Sequence, residues 1–508
     1  MAVLTLLLFA IITLLLALGL CRNRRVQEDR SHRAVPGPSS LPLIGNLTDL
    51  RHKDLHVHLS ELARTFGPIY RLRLWNQDII VLNSLKLIKE ALVKRSSEFA
   101  GRPRTFVGDY ISFGGKDLSL GDYTHTWKIQ KKMAHGAIQW SRISALEPVV
   151  LREAEKFCKV LQSYVGSPVD PNKDFSMFTC NTICSLIFST NYDRNDQELQ
   201  EIHDCLVELV YLWGSRAIGL VDMFPVLQYF HNSAWRQLQK AIHKRDSFVR
   251  HHIQKHKSKS VFQVTFQKGI IRDITDMLMK PIWDQEEGSS QRGEVTEEHV
   301  HMVIVDLFIG GTETTSSTLG WAVAYLVHRP EIQDRIFQEL CSGVGEDRYP
   351  SYADRGKLPF LTATIVEVMR LRPVVPLSLP HRTTCNSSVA GYFVPSGTHI
   401  ITNLFGANYD ETKWTEPTQF RPERFLDMPD AEKTMQNVIS FGMGARTCLG
   451  EPIARVELFL CLAYLLKEFK FLPAKTGELP ELQSMEAKLM KVKPYRVTVV
   501  PRSKLQHN

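Results

Sequence analysis

No C-x-x-C pair occurs in this sequence, and none of its nine cysteines stands with a spaced histidine pair, which removes structural zinc sites. There is no internal repeat, no low-complexity tract and no nucleic-acid-binding motif. The chain is 44% apolar and 23% charged, so the disordered, collagenous and coiled-coil classes are excluded. Neither sign of charge dominates: 62 Lys and Arg stand against 54 Asp and Glu, a net charge of +8. Such mild basicity fits docking to an acidic protein surface or an anionic membrane. At 508 residues the chain suits one large catalytic unit or two to three ordinary domains. The cysteines are odd in number and scattered: Cys21, Cys158, Cys180, Cys184, Cys205, Cys341, Cys385, Cys448 and Cys461. That usage fits a reducing compartment in which most of them are small buried hydrophobes.

What is present begins with Ala2 to Leu20, an apolar run broken only by Thr5 and Thr13. At helical rise its 19 residues nearly span a bilayer core of roughly 30 Å. No charged side chain precedes the run, and Arg22, Arg24 and Arg25 follow it. Residues 2–20 therefore read as a transmembrane signal-anchor that leaves the rest of the chain in the cytosol, with a cleaved signal peptide as the alternative. Residues 21–50 read as a basic and proline-rich hinge, stiffened by Val35-Pro-Gly-Pro38 and Pro42, and 51–508 as the body. Two sequons, Asn46-Leu-Thr48 and Asn386-Ser-Ser388, stay unglycosylated if that body is cytosolic.

The body reads as mainly α with a minor β region, an α+β class. Ile69 to Leu74 alternates apolar and polar, the period of a half-buried strand. Trp75-Asn-Gln-Asp78 then reads as a turn and Ile79 to Leu82 as a return strand. From about residue 140 to 380 the pattern is mostly helical. The clearest helix starts at Thr296, a good N-cap with Glu297 and Glu298 in the first turn. It continues past Gly310-Gly311 to about His328, where Pro330 stops it. About 30 residues make a helix of roughly 45 Å, and one apolar on almost every face is expected to be central and buried. Residues 380 to 450 are rich in Pro, Gly, Asn and Arg and poor in periodicity, and Tyr495 to Val500 reads as another strand. Ser258 to Gly269 and Glu286 to Gly293 read as surface loops.

The chemistry converges on Phe441-Gly-Met-Gly-Ala-Arg-Thr-Cys-Leu-Gly450, in which Phe441, Gly444, Arg446, Cys448 and Gly450 fit the pattern F-x-x-G-x-R-x-C-x-G. Glycines let the backbone approach a flat ligand closely. A helical pattern, Pro452 to Leu466, begins just after the cysteine. The helix N-terminus and Arg446 both favour thiolate over thiol at Cys448. A thiolate on haem iron favours O–O cleavage of dioxygen. The bland alternative is a Gly-rich loop with a buried structural cysteine. A dinucleotide loop is excluded, because after Gly442 and Gly444 the sixth position is Thr447 and not Gly.

Inside the long helix sits Gly310-Gly-Thr-Glu-Thr-Thr315. Glycines there cost about 1 kcal/mol each relative to Ala and need a reason, such as a ligand pressing on the backbone. Glu313 and Thr314 supply a carboxylate and a hydroxyl in a buried groove, a pair able to relay protons. The alternative is a threonine back-bonding to the preceding turn at a kink. Glu367-Val-Met-Arg370 sets an acid and a base at i and i+3, usually a solvated pair. Arg424, in Phe420-Arg-Pro-Glu-Arg-Phe425, joins them if the intervening chain folds back, and support of the cysteine loop is then the better reading. Arg245, in His243-Lys-Arg-Asp246, reads on its own as one more solvated charge in a basic helix.

Together these segments, in this order along essentially the whole chain, resemble the cytochrome P-450 family of haem-thiolate monooxygenases. The resemblance implies a cytochrome P-450 fold with one N-terminal transmembrane helix and a haem-thiolate monooxygenase domain over 51–508. It implies haem b with Cys448 as axial ligand, proton delivery by Glu313 and Thr314, and a structural triad of Glu367, Arg370 and Arg424. Phe99-Ala-Gly-Arg-Pro103, Asp117-Leu-Ser-Leu-Gly-Asp-Tyr123, His299-Val-His-Met302, Leu371-Arg-Pro-Val-Val-Pro376 and Leu379-Pro-His-Arg-Thr-Thr384 are similar to the branch that hydroxylates steroids at carbon 21. Lys131 and Gly310, where many members carry Arg and Ala, fit the same branch. By that resemblance Arg102, Trp127, Lys131, His381 and Arg446 surround the haem propionates, which need buried cationic or donor partners. Arg245 would hydrogen-bond the steroid 3-keto oxygen, and Val305, Asp306, Val375 and Leu379 would be pocket wall.

The function so implied uses haem, dioxygen and two electrons to hydroxylate carbon 21 of progesterone and 17-hydroxyprogesterone in corticosteroid synthesis. The sequence carries no flavin or nicotinamide module, so the implied electron donor is NADPH–cytochrome P-450 reductase. Lys128, Lys131, Lys132 and Arg455 are candidate docking cations, with ordinary solvation as the alternative. The implied location is the endoplasmic reticulum membrane, catalytic domain facing the cytosol. Two other functions stay open: steroid 17-hydroxylation with 17,20-cleavage, and a non-catalytic haem- or steroid-binding membrane protein. Glu313 and Thr314 argue against the second, since a sensor needs no proton relay.

Overall fold

The computed structural model describes residues 34–42, 44–75, 77–230, 232–258, 270–288, 294–427, 430–485 and 489–502. The expected anchor at 2–20, the first part of the hinge and most of both expected surface loops lie outside the described residues. Among the described residues no helix is long and apolar enough to cross a membrane. The chain divides into two compact units. The first takes the described part of Met1–Pro103 with Pro376–Pro417 and Gly442–Thr447; the second takes Arg104–Val375, Thr418–Phe441 and the described part of Cys448–Asn508.

The first unit is built on a four-stranded sheet ordered Ile69–Leu74, Gln77–Leu82, His399–Thr402, His381–Arg382. The expected hairpin forms, antiparallel from Ile69↔Leu82 to Leu74↔Gln77, and Trp75 turns it at φ +54°. The return strand starts at Gln77, ahead of its apolar part, because Asp78 Oδ1 accepts from Arg73 Nε at 2.9 Å across the pair. Ile79 to Leu82 are all buried, as befits a strand paired on both sides: its other neighbour is His399–Thr402, parallel from Ile79↔His399 to Leu82↔Thr402. Leu59, Tyr70, Leu72, Ile79 and Val81 form the core beneath. The Tyr70 hydroxyl, buried with them, donates to the Leu59 carbonyl of helix Leu55–Phe66 at 2.8 Å.

The second unit is helical, around Glu297–His328. This long helix begins as expected after Thr296, whose N–H donates to His299 Nδ1 at 3.1 Å. It ends ahead of Pro330, which opens the next helix, Pro330–Val344, where a missing N–H costs nothing. Its side chains are buried from Val300 to Val305 and from Thr315 to Val327, while Asp306, Leu307, Ile309, Gly310, Gly311 and Thr314 between them are not. Helix Asn172–Phe188 lies against it. That packing separates the two central glycines. A Cβ on Gly311 would meet Ile183 Cδ1 at 2.5 Å, and the Thr179 hydroxyl donates to the Thr312 carbonyl at 2.9 Å. Gly311 therefore answers to a neighbouring helix, while Gly310 has nothing within 4 Å of its missing Cβ among the described residues. A small sheet orders Pro168–Val169, Val497–Pro501, Phe469–Pro473. The last strand starts two residues later than its pattern suggested, because pairing runs from Phe469↔Pro501 to Pro473↔Val497. Tyr495 instead donates its hydroxyl to the Gly320 carbonyl at 2.8 Å.

Candidate active site

Cys448 follows a loop that its glycines make possible. Gly442 and Gly444 adopt φ +69° and +70°, the left-handed region that side chains disfavour. A Cβ on Gly444 would also run into the Leu92 carbonyl oxygen, and the next N–H, of Ala445, donates to Ser96 Oγ at 2.9 Å. In the second unit, Cys448 N–H donates to the Phe441 carbonyl at 2.9 Å, and Gly450 caps helix Glu451–Glu468, with Pro452 in its first turn. The Cys448 side chain is open to solvent on one side and crowded by protein on the others. Burial pushes its thiol up; the N–H groups of Gly450 and Glu451 and the Lys131 ammonium pull the other way, against the Glu451 carboxylate. The helix N-terminus thus acts as the sequence suggested. The cation that bears on the sulfur is Lys131, whereas Arg446 Nε donates to the Ala100 carbonyl at 2.8 Å within the first unit.

The second unit holds a buried ionic cluster. Glu367 and Arg370, on helix Pro359–Leu371, are both 0% exposed and joined through two 2.8 Å bonds. Arg424 Nε and the Arg421 N–H each reach Glu367 Oε1 at 3.0 Å, and both Arg370 and Arg424 donate to the Gln419 carbonyl. The pair expected to be solvated is therefore fully buried, and the chain does fold back to bring in Arg424. Burial lowers the Arg424 pKa against the pull of Glu367. Ser440 Oγ donates to the Met369 carbonyl at 2.7 Å, tying the approach to Cys448 to the same helix.

The first unit gathers three of the five expected propionate partners. Arg102 Nη1 donates to the carbonyls of Leu379 and Pro380 at 2.9 and 2.8 Å, and His381 Nδ1 meets the Phe99 carbonyl at 2.9 Å. Burial holds the His381 pKa well below its usual value, and Arg102 and Arg446 depress it further, against the bond to the Phe99 carbonyl. The local field is positive, and a carboxylate ligand would relieve it. In the second unit, Trp127 is buried and its Nε1 donates to the Leu118 carbonyl at 3.1 Å, with Lys131 Nζ over its ring at 5.4 Å.

On the long helix, Glu313 and Thr314 do not share one groove. Neighbouring helical residues point about 100° apart. Glu313 is buried against Lys491, whose Nζ lies 2.9 Å from Oε2, with Ser176 Oγ at 3.4 Å. Thr314 Oγ1 donates to the Gly310 carbonyl at 2.5 Å, the back-bond that was the structural alternative. Asp306 Oδ2 accepts the Leu118 N–H at 2.6 Å and Oδ1 the Ser119 hydroxyl at 2.5 Å, clasping that loop to the helix. Burial and then Asp117 push the Asp306 carboxyl up to about 8, against Ser119, Leu118 and Arg245.

Arg245 departs most from a residue-by-residue reading. Far from solvated, it is 0% exposed. Its Nε and Nη2 reach Asp246 Oδ1 at 2.8 and 2.7 Å, and Nη2 also donates to the Ile111 carbonyl at 3.1 Å. Nη1 is buried and meets no acceptor among the described residues. Its field reaches Asp306, so Arg245 and Asp306 belong to one neighbourhood in the second unit. Val305 is buried and Val375 half-buried in the same unit, and Leu379 is half-buried in the first. Asp246 and His301 carry no role that the sequence pattern alone assigns. The available signal was a histidine, His301, set among the apolar residues Val300 and Met302 to Val305 of the long helix. Among the docking candidates, Lys128 and Lys132 are exposed, while Arg455 is held by Glu451 at 2.8 Å and lies over the Phe441 ring.

Residues 35–499 match the family described as Cytochrome P450. The chain is 43% identical over 468 residues to the steroid 21-hydroxylase of Bos taurus, covering 91% of each protein. It is 43% identical over 475 residues to that of Homo sapiens, covering 92% of this chain and 93% of the relative. A zebra fish cytochrome P450 solved with progesterone superposes with a TM-score of 0.78 at 33% identity, covering 88% of this chain and 99% of the other.

Proposed function

This chain belongs to the cytochrome P450 family, and we propose that it hydroxylates carbon 21 of progesterone and 17-hydroxyprogesterone. The observation that carries the reading is the 43% identity to steroid 21-hydroxylases over nine-tenths of both chains. The residues fit the cofactor. One accessible cysteine sulfur receives two helix-end N–H groups, and the buried Arg102 and half-buried Arg446 make a positive field around the His381 ring. Cys448 would be the thiolate ligand, and Arg102, Trp127, Lys131, His381 and Arg446 would partner the propionates. When bound, the haem supplies dioxygen activation with electrons delivered from outside the chain.

The chain's own residues do the rest. Arg245 Nη1 donates to the 3-keto oxygen, and Val305, Asp306, Val375 and Leu379 wall the steroid, so that position, not reactivity, selects the carbon. Thr314, through Oγ1, and Glu313, paired with Lys491 Nζ, deliver protons as two stations on different faces of one helix. Glu367, Arg370 and Arg424 brace the segment that leads to Cys448. Electrons come from NADPH–cytochrome P-450 reductase, with Lys128 and Lys132 as exposed cations for it. The domain over 51–508 is held by the 21–50 hinge and the 2–20 anchor to the endoplasmic reticulum membrane, facing the cytosol.

The test is product identification. With reductase, NADPH and progesterone, mass spectrometry is expected to find the new hydroxyl on carbon 21; a hydroxyl on carbon 17, or no turnover, overturns the reading. Topology has its own check. Asn46 is buried with its Nδ2 on Asp49 and cannot report, so exposed Asn386 is the informative sequon: a glycan there places the body outside the cytosol.

A further inference from the structure

We propose that His301 and Asp246 are positioning residues that hold the Arg245 guanidinium in the one plane that presents Nη1 to the steroid oxygen; this rests on the reading of Arg245 as the steroid anchor. A guanidinium offers five N–H groups in a rigid planar fork. Fixing Nε and Nη2 fixes where Nη1 points. Both are fixed through Asp246 Oδ1, yet residues next to each other on a helix do not normally face one another. What draws the carboxylate to the guanidinium comes from another element. His301, on the long helix, brings Nε2 to 3.1 Å from the same Oδ1. With a carboxylate as partner, Nε2 carries the proton and donates.

The imidazole is itself held. The Phe113 ring stacks on it at 5.2 Å and 20°, from a backbone at φ +53° that a phenylalanine rarely adopts. Strained backbone of this kind gathers at sites where geometry matters. Arg250 lies over the outer face of Phe113 at 6.0 Å. The Ile111 carbonyl, two residues before Phe113, takes the remaining Nη2 bond at 3.1 Å. Three elements thus converge on the Arg245–Asp246 pair and its histidine: helix Ser233–His256, the long helix, and the end of helix Phe106–Ile111 with the residues after it. Arg245, Asp246 and His301 are all buried, and Nη1 is left over. A buried charged donor without an acceptor is costly, and a carbonyl oxygen from a bound ligand removes that cost.

The test measures recognition, not turnover. Equilibrium dialysis of the full-length protein compares radiolabelled progesterone with the same steroid lacking its 3-oxygen. Wild type is expected to prefer the 3-keto steroid by about tenfold or more. His301→Leu is expected to lose most of that preference while binding the 3-deoxy steroid as wild type does, and His301→Gln, which keeps an N–H, to regain part of it. Arg245→Leu abolishes the preference, and adding His301→Leu to it changes nothing further. If His301→Leu does not fold, Asp246→Asn reads the same preference. A wild-type preference kept in full by the His301 and Asp246 variants overturns the positioning and leaves the anchor standing. So does an equal loss for both steroids, which marks a structural role alone. Equal affinity of wild type for the two steroids overturns anchor and positioning together.

Discussion

Around Glu367, two guanidiniums and a backbone N–H satisfy one carboxylate, and both guanidiniums go on to a shared carbonyl. Around Arg245, a carboxylate and a carbonyl satisfy a guanidinium on two of its nitrogens, and the third meets no acceptor among the described residues. Both clusters are buried and both mix Arg with an acid. The first is closed and can only hold the protein together; the second is one bond short, and a ligand can complete it. For buried charge, the count of remaining donors separates scaffold from recognition better than the residue types do.

The sharpest way to break this contrast is Glu367→Ala. It strands two buried guanidiniums and is expected to cost about 3–5 kcal/mol, read as a large fall in the urea midpoint together with loss of the thiolate–haem absorption signature. A small shift would mean the cluster is not structural.

Glu457 carries the comparison to its limit. It is 0% exposed on helix Glu451–Glu468, and neither oxygen completes a hydrogen bond among the described residues. Burial pushes its carboxyl from 4.5 up to about 8, while the nearby Thr315 hydroxyl acts in the lowering sense. The folded chain then keeps a proton that the unfolded chain has lost, so this group's contribution to stability falls as pH rises from about 4.5 to about 8, and levels off above that. Glu457→Gln is expected to remove up to about 1.4 kcal/mol per pH unit of that fall, measured by urea unfolding at pH 5, 6 and 7. An unchanged slope would show the acid to be ionised in the fold.

Arg245→Gln is expected to weaken progesterone binding about tenfold while moving the unfolding midpoint far less than Glu367→Ala does. A larger loss of stability than of binding would erase the distinction between the two clusters. The smallest effects separate the paired glycines. Gly310→Ala meets no atom of the described residues and is expected to be neutral or stabilising by up to about 1 kcal/mol in the protein without ligand, whereas Gly311→Ala, pressed against Ile183, is expected to destabilise by about 1–3 kcal/mol. Thermal unfolding of the two single variants decides it.

How much of this was legible depended on range along the chain. Thr296 and Pro330 bracket the long helix through caps and missing donors a few residues away, so its ends could be read directly. The same holds for the hairpin after Ile69 and the helix that starts past Cys448. The strands near 400 and 497 were blurred, because their ends are set by partners hundreds of residues or tens of residues distant. Arg424 was legible as a candidate and became a member only through a bond to Glu367 that spans 57 positions. Glu313 and Thr314 looked like one pair because they are adjacent in sequence; helical rotation sends them to different partners.

The amino-acid sequence by itself determined the loop chemistry around Cys448, the helical periodicity and the order of the motifs. Each of these is local, carried by backbone preference, capping and spacing over a few residues. Tertiary structure decided which buried charges are completed and which are not. It buried Arg245, turned Glu313 toward Lys491 and pressed Gly311 against Ile183. The reason is physical: whether a polar group is satisfied depends on what chain closure brings beside it, and no local pattern encodes the far partner.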